Sequence, residues 1–165
     1  MESREFTVTD DLLASKGQRF LNLIIDLVII YIIGLIIVAT INIIGDLTNS
    51  YTASNWIKKL TVVEYSFFGL VILFFYYGLT EMYFSRTLAK YFTKTIVVKH
   101  NGSKPNMKSF IIRTVARIIP FEAFSFLSGD SRGWHDTLSV TYVVKKHEFL
   151  EEMKLVTSSD QTEVL

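Results

Sequence analysis

The chain has no cysteine among its 165 residues, which excludes disulfides, thiolate metal sites, cysteine nucleophiles and thiol redox chemistry. Net charge is close to absent, at a formal +1, so the information carried by charge lies in where it falls. No set of acids, histidines or hydroxyls has the spacing of a metal site or of a nucleophile beside its base. His135-Asp136 is two neighbours in a loop and no more, so the expectation is no enzyme, no metal and no cofactor. Gly34 stands alone, and Gly69 and Gly78 do not make a Gly-x-x-x-Gly motif, so no packing motif specifies an oligomer. The first apolar run is too long for the roughly 7 to 15 residues of a signal-peptide core and has no small-residue cleavage site, so it is expected to stay in the mature chain.

What is abundant is apolar surface. Hydrophobic residues make up 50% of the chain and the mean hydropathy is +0.34, which points to one domain with lipid as its main solvent. Residues 1–15 read as a short N-terminal arm, residues 16–145 as a membrane domain, and residues 146–165 as a charged tail with one or two helical turns. Within the domain, residues 20–44 are almost wholly apolar. About 25 residues at roughly 1.5 Å each exceed the roughly 30 Å bilayer core. A second run, residues 60–80, is close to the bilayer thickness. Between them lies a polar loop, residues 45–59, whose Tyr51 and Trp56 suit a membrane interface.

Beyond the second span come Arg86, Lys90, Lys94, Lys99, Lys104, Lys108, Arg113 and Arg117, against the single acid Glu81. The positive-inside rule makes this flank cytoplasmic; two spans return the N-terminus to the same side, where Lys16 and Arg19 lie. Lipid headgroups, not nucleic acid, are the expected partner of these charges. Two β-branched runs, residues 95–99 and 140–144, with the turn dipeptide Asn101-Gly102 after the first, are expected to pair as a small cytoplasmic sheet. Residues 109–127 are apolar, but Arg113, Arg117, Glu122 and Pro120 make them a costly span at roughly 2.5 to 3.5 kcal/mol per central charge. They read as an amphipathic helix in the interface, kinked at Pro120, with a full third span as the alternative. The fold class is therefore an all-α membrane protein: a two-span hairpin, an interfacial third helix and a short cytoplasmic β pair.

Ionisable residues inside a span are functional candidates by default. Arg19, Asn22 and Asp26 fall at i, i+3 and i+7, on one face of the first span. Arg19 and Asp26 are about 10 Å apart along the axis, so each needs a partner elsewhere. Level antiparallel spans put Arg19 at the depth of Glu81, predicting an ion pair, and Asp26 near Tyr76 or Tyr77. Glu64 falls near Thr40 or Asn42, where it can also snorkel to water or pair with Lys59. Arg113 and Arg117 either face phosphates or pack on the hairpin, and Asp136 caps a turn or pairs with Arg113, Arg117 or Arg132. Asp26 then has two readings: a carboxylate that binds a proton or small cation in turn, or a hydrogen-bonded anchor between helices.

GQRFLNLIIDLVII, RTLAKYFTKTIVVKHNGSKP, IIRTVARIIPF and RGWHDTLSVTYVV, in this order, resemble the RDD family of small integral membrane proteins over roughly residues 14–145. Arg19 and Asp26 match the arginine and first aspartate for which that family is named. The second aspartate, less fixed in position, is mapped to Asp136, with Asp46 as the alternative. Where such sequences read Thr-x-Gly-Lys, this one has Thr87-Leu88-Ala89-Lys90, so a close backbone approach there must accommodate a methyl group. The expected role is that of an accessory or scaffold subunit in the inner membrane; the alternative, suggested by the transport linked to a few such proteins, is a homo-oligomeric transporter of small cations (cation/proton antiport) or compatible solutes. Two spans are too few to enclose a pathway alone, so transport requires a homo-oligomer or a membrane-protein partner.

Overall fold

The structure is a computed structural model that describes residues 6–119, 122, 125 and 132–162. Its first helix, α1, covers Lys16–Thr48. Ser15 starts it with a capping box: its Oγ accepts from the Gln18 N–H at 3.2 Å, and its own N–H donates to Gln18 Oε1 at 2.9 Å. Reciprocal capping satisfies two of the orphan amides of the first turn, which is why the helix begins four residues before the apolar run. It ends at Asn49, whose φ of 51° is the left-handed conformation that stops helices. The expected polar loop is largely helical, with α2 at Thr52–Ile57 folded back on Gly45. A Cβ on Gly45 would lie 3.3 Å from both the Ser50 carbonyl oxygen and Ser54 Oγ.

A second capping box, Thr61 with Glu64, opens α3 at Val62–Phe84. Thr61 N–H donates to Glu64 Oε2 at 2.7 Å. Helices α1 and α3 are long and apolar enough to cross a membrane, and only 11% of the most apolar stretch of each is buried. A core helix of a soluble protein would be mostly covered; here Tyr31 is 68% exposed and Phe67 60%. The two helices meet where Gly34 admits Ile72.

The chain continues through α4 at Leu88–Phe92 into β1 at Thr95–Lys99, then α5 at Met107–Ala116, α6 at Trp134–Ser139, β2 at Thr141–Lys145 and α7 at Lys146–Thr162. The strands pair antiparallel with Thr95 opposite Lys145 and Val97 opposite Val143, the pairing expected from the two β-branched runs. Gly102, at φ 74°, supplies the turn after β1. Strand side chains alternate between faces. On one face, Val98 and Val144 form a core with Val8, Leu12 and Phe149. On the other, Thr95, Val97, Thr141 and Val143 are buried toward the ends of α1 and α3.

Three local expectations are corrected. The N-terminal arm is part of the sheet's packing: Val8 N–H donates to the His100 carbonyl at 2.8 Å and Ala14 N–H to the Val143 carbonyl at 2.9 Å. The tail is a 17-residue helix, because Phe149 and Met153, at i and i+4, both pack on the apolar face of the strands. The third helix stops at Ala116, short of the expected 127. Its amphipathic character stands: Met107, Ile111 and Val115 are exposed on one side, while Phe110, Arg113 and Thr114 are buried on the other. The kink expected at Pro120 lies outside the described residues.

Phe149 meets Phe6 edge to face, with ring centroids 5.6 Å apart. Phe149→Ala is expected to cost about 3 kcal/mol or more by emptying this core. Denaturant unfolding of the detergent-solubilised protein measures it.

Candidate functional site

The buried face of the strands covers a cluster of charged side chains supplied by α1, α3, α4, α5 and α6. From α1, Arg19 donates through Nη1 to Asp136 Oδ2 and through Nε to the Ala14 carbonyl at 3.4 Å. One turn on, Asn22 accepts from Thr93 Oγ1 at 2.6 Å and donates to Thr95 Oγ1 at 3.3 Å, stitching α1 to the start of β1. A further turn on, Asp26 accepts from the Tyr76 hydroxyl at 2.5 Å and from Thr87 Oγ1 at 2.9 Å.

Glu81, fully buried near the end of α3, receives three cations. Lys90 Nζ reaches Oε1 at 2.5 Å, Arg117 Nη2 reaches the same oxygen at 2.9 Å, and Arg113 Nε reaches Oε2 at 2.9 Å. The Arg117 guanidinium also lies over the Tyr77 ring, 3.9 Å from its centroid. Arg113 then joins this half of the cluster to the other, since its Nη1 donates to Asp136 Oδ1 and to Thr141 Oγ1. His135, beside Asp136, contacts Glu122 Oε1 through Nδ1 and lies 3.3 Å from Asp136 Oδ1 through Nε2.

Low dielectric makes each of these charges costly alone and strongly coupled in pairs. Burial by itself would raise the Asp136 carboxyl, but His135, Arg113 and Arg19 reverse that and hold it well below the usual carboxylate range. For Lys90, burial outweighs the attraction of Glu81 and draws the ammonium below its ordinary value. Burial likewise lowers the His135 imidazole against the pull of Asp136. Glu122 is held below the usual range by His135 and Arg117, in the face of its own burial.

The structure brings Arg19, Asn22, Asp26, Tyr76, Tyr77, Glu81, Arg113, Arg117 and Asp136 into this one region. One expectation fails. Arg19 does not pair with Glu81. Matching depths along two helices ignored α5 and α6, which bring Arg113 to Glu81 and Asp136 to Arg19. Glu64 sits in the first turn of α3, at the end expected for it, 17 residues or about 25 Å from Glu81, where it caps Thr61. The sequence reading missed Lys90, Thr87 and Glu122 as members. A signal existed for the first two: Thr87 caps α4 by accepting from Lys90 N–H at 3.4 Å, a three-residue spacing that turns both side chains toward α1 and α3. The methyl of Ala89 is accommodated, fully buried. Arg132, a proposed partner of Asp136, lies over the Tyr142 ring.

Asp26 differs from the other carboxylates. It is 2% exposed, and among the described residues it has hydrogen bonds but no ion pair. It borders a cavity of about 40 Å³ whose walls include Arg19, Lys90, Arg117, Glu122 and His135. Among the described residues, no group of three or more acids and histidines is arranged to hold a metal ion.

The RDD family model matches residues 13–140, a stretch that contains every member of the cluster. The chain belongs to the RDD family. With two exposed apolar helices, it is a membrane protein. No curated protein and no solved structure matches it.

The pairing is open to a double-mutant cycle. Arg19→Ala with Asp136→Ala is expected to show a coupling at least about 1 kcal/mol larger than Arg19→Ala with Glu81→Ala, read from the stability of the solubilised protein. Equal couplings would contradict the geometry.

Proposed function

We propose that this RDD protein is a multi-pass protein of the inner membrane that acts as an accessory or scaffold subunit, with its polar cluster serving as a lock between membrane and cytoplasmic parts. In this reading α1 and α3 cross the bilayer as a hairpin, with the N-terminus, the strands and α7 in the cytoplasm. Arg86, Lys94, Lys99, Lys104 and Lys108 follow α3, in keeping with a cytoplasmic flank. Helix α5 lies in the interface, its exposed Met107, Ile111 and Val115 turned to lipid. Asp136 serves as the family's second aspartate, since it shares the cluster with Arg19 and Asp26, whereas Asp46 is exposed at the far end of α1.

The observation that carries the reading is the cross-pairing itself. Glu81 and Asp136 are each bound by cations from more than one element, and Arg113 holds both. Removing one partner of such a pair leaves a buried charge uncompensated, at about 3 to 5 kcal/mol. A cluster so tied suits a rigid anchor better than a site that must empty and refill.

A second reading, transport of small cations or compatible solutes by a homo-oligomer, is favoured by Asp26, the one carboxylate of the cluster that has no ion pair among the described residues. The cationic walls of its cavity, Arg19, Lys90 and Arg117, weigh against a cation beside it. No enzymatic step is proposed. Vesicles containing only the purified chain, with an imposed sodium or proton gradient, are expected to show no flux above protein-free vesicles. Flux that disappears in a folded Asp26→Asn variant would overturn the scaffold reading in favour of transport.

A further inference from the structure

Away from the charged cluster, α3 and α5 enclose an apolar cavity of about 260 Å³ lined by Phe74, Gly78, Met82, Phe110, Ile111 and Thr114 among others. Its one polar lining side chain is already satisfied, because the Thr114 hydroxyl donates to the Phe110 carbonyl at 2.9 Å. Gly78 lines it on the α3 side, where an added Cβ would enter open space with no heavy atom within 4 Å. One wall belongs to a membrane-crossing helix and the other continues into the exposed apolar side of α5, so the cavity faces the medium that covers both. It has room for an alkyl chain, not for the roughly 10 Å cylinder of a helix.

Two lysines belong to the segment beside it. Lys104 Nζ lies 3.4 Å from the Tyr83 carbonyl oxygen, one residue from the cavity-lining Met82. Lys108 follows Met107, which also lines the cavity, and both lysines are exposed. An apolar slot between two helices, with the exposed Lys104 near Tyr83 and the exposed Lys108 next in sequence to the lining Met107, matches an alkyl tail joined to an anionic headgroup.

We propose that the slot between α3 and α5 binds one acyl chain of an anionic glycerophospholipid, whose phosphate is met by Lys104 and Lys108. The site rests on α3 crossing the bilayer with its basic end at the interface. It stands independently of whether the charged cluster locks or transports.

Native mass spectrometry of the full chain in detergent, titrated with phosphatidylglycerol and with phosphatidylcholine, tests it. At about 1 kcal/mol per basic side chain, two lysines give phosphatidylglycerol an advantage of roughly 30-fold. Lys104→Ala with Lys108→Ala is expected to abolish that preference while leaving phosphatidylcholine binding unchanged. Gly78→Leu, which enters open space and raises helix propensity, is expected to weaken both lipids. Equal affinity for the two lipids in the unmodified chain would overturn the proposal, as would phosphatidylglycerol binding indifferent to Gly78→Leu. A change from dimer to monomer in Gly78→Leu, with lipid binding intact, would overturn it in favour of a second copy of the chain. Carbonate extraction of the parent membranes separates the two levels: a chain washed off the membrane refutes the spanning reading, whereas an inserted chain without lipid preference refutes the slot alone.

Discussion

One guanidinium holds the molecule together. Arg113 reaches Glu81 with Nε and Asp136 with Nη1, so a single side chain of α5 joins the end of an apolar helix to the short helix before β2. Asp136 passes the connection on to Arg19 at the start of α1. Both long helices are thereby tied at the same end, through elements that lie between them and the strands. The planar fork of arginine suits this role, since it donates in two directions at fixed geometry, which a lysine cannot do.

The charge balance explains why the arrangement tolerates burial. Arg19, Lys90, Arg113 and Arg117 lie among Asp26, Glu81, Asp136 and Glu122, four basic side chains with four acidic ones. The near-zero net charge of the whole chain hides a strongly charged interior surrounded by apolar helix surface. The strands contribute through their parity. With Thr95 and Thr141 on the inner face, hydroxyls meet Asn22 and Arg113, while the valines at even positions close a separate apolar core with the arm and α7.

Much of this was legible in the sequence because it was local or periodic. Two apolar runs marked α1 and α3, β-branched runs marked the strands, and the i, i+3, i+7 spacing put Arg19, Asn22 and Asp26 on one face. Levelling two antiparallel helices put Asp26 near Tyr76 or Tyr77, and the hydrogen bond is to Tyr76. The same levelling misassigned Arg19, because a depth match between two helices cannot see a third element inserted between them. Helix limits were missed where they depended on a cap, as at Ser15 and at Ser85, whose left-handed conformation ends α3, or on tertiary packing, as at Phe149 in α7. Lys90 read as one more cytoplasmic charge, and only the cap at Thr87 distinguishes it from its exposed neighbours.

If the cluster is the lock, its loss must loosen parts of the chain that do not touch Arg113. Hydrogen–deuterium exchange on the solubilised protein, comparing the parent with Arg113→Ala, measures this directly. The account predicts faster exchange together in β1, β2, α6 and the adjoining ends of α1 and α3, with the far ends near Asn49 and Thr61 unchanged. Faster exchange confined to α5 would contradict it.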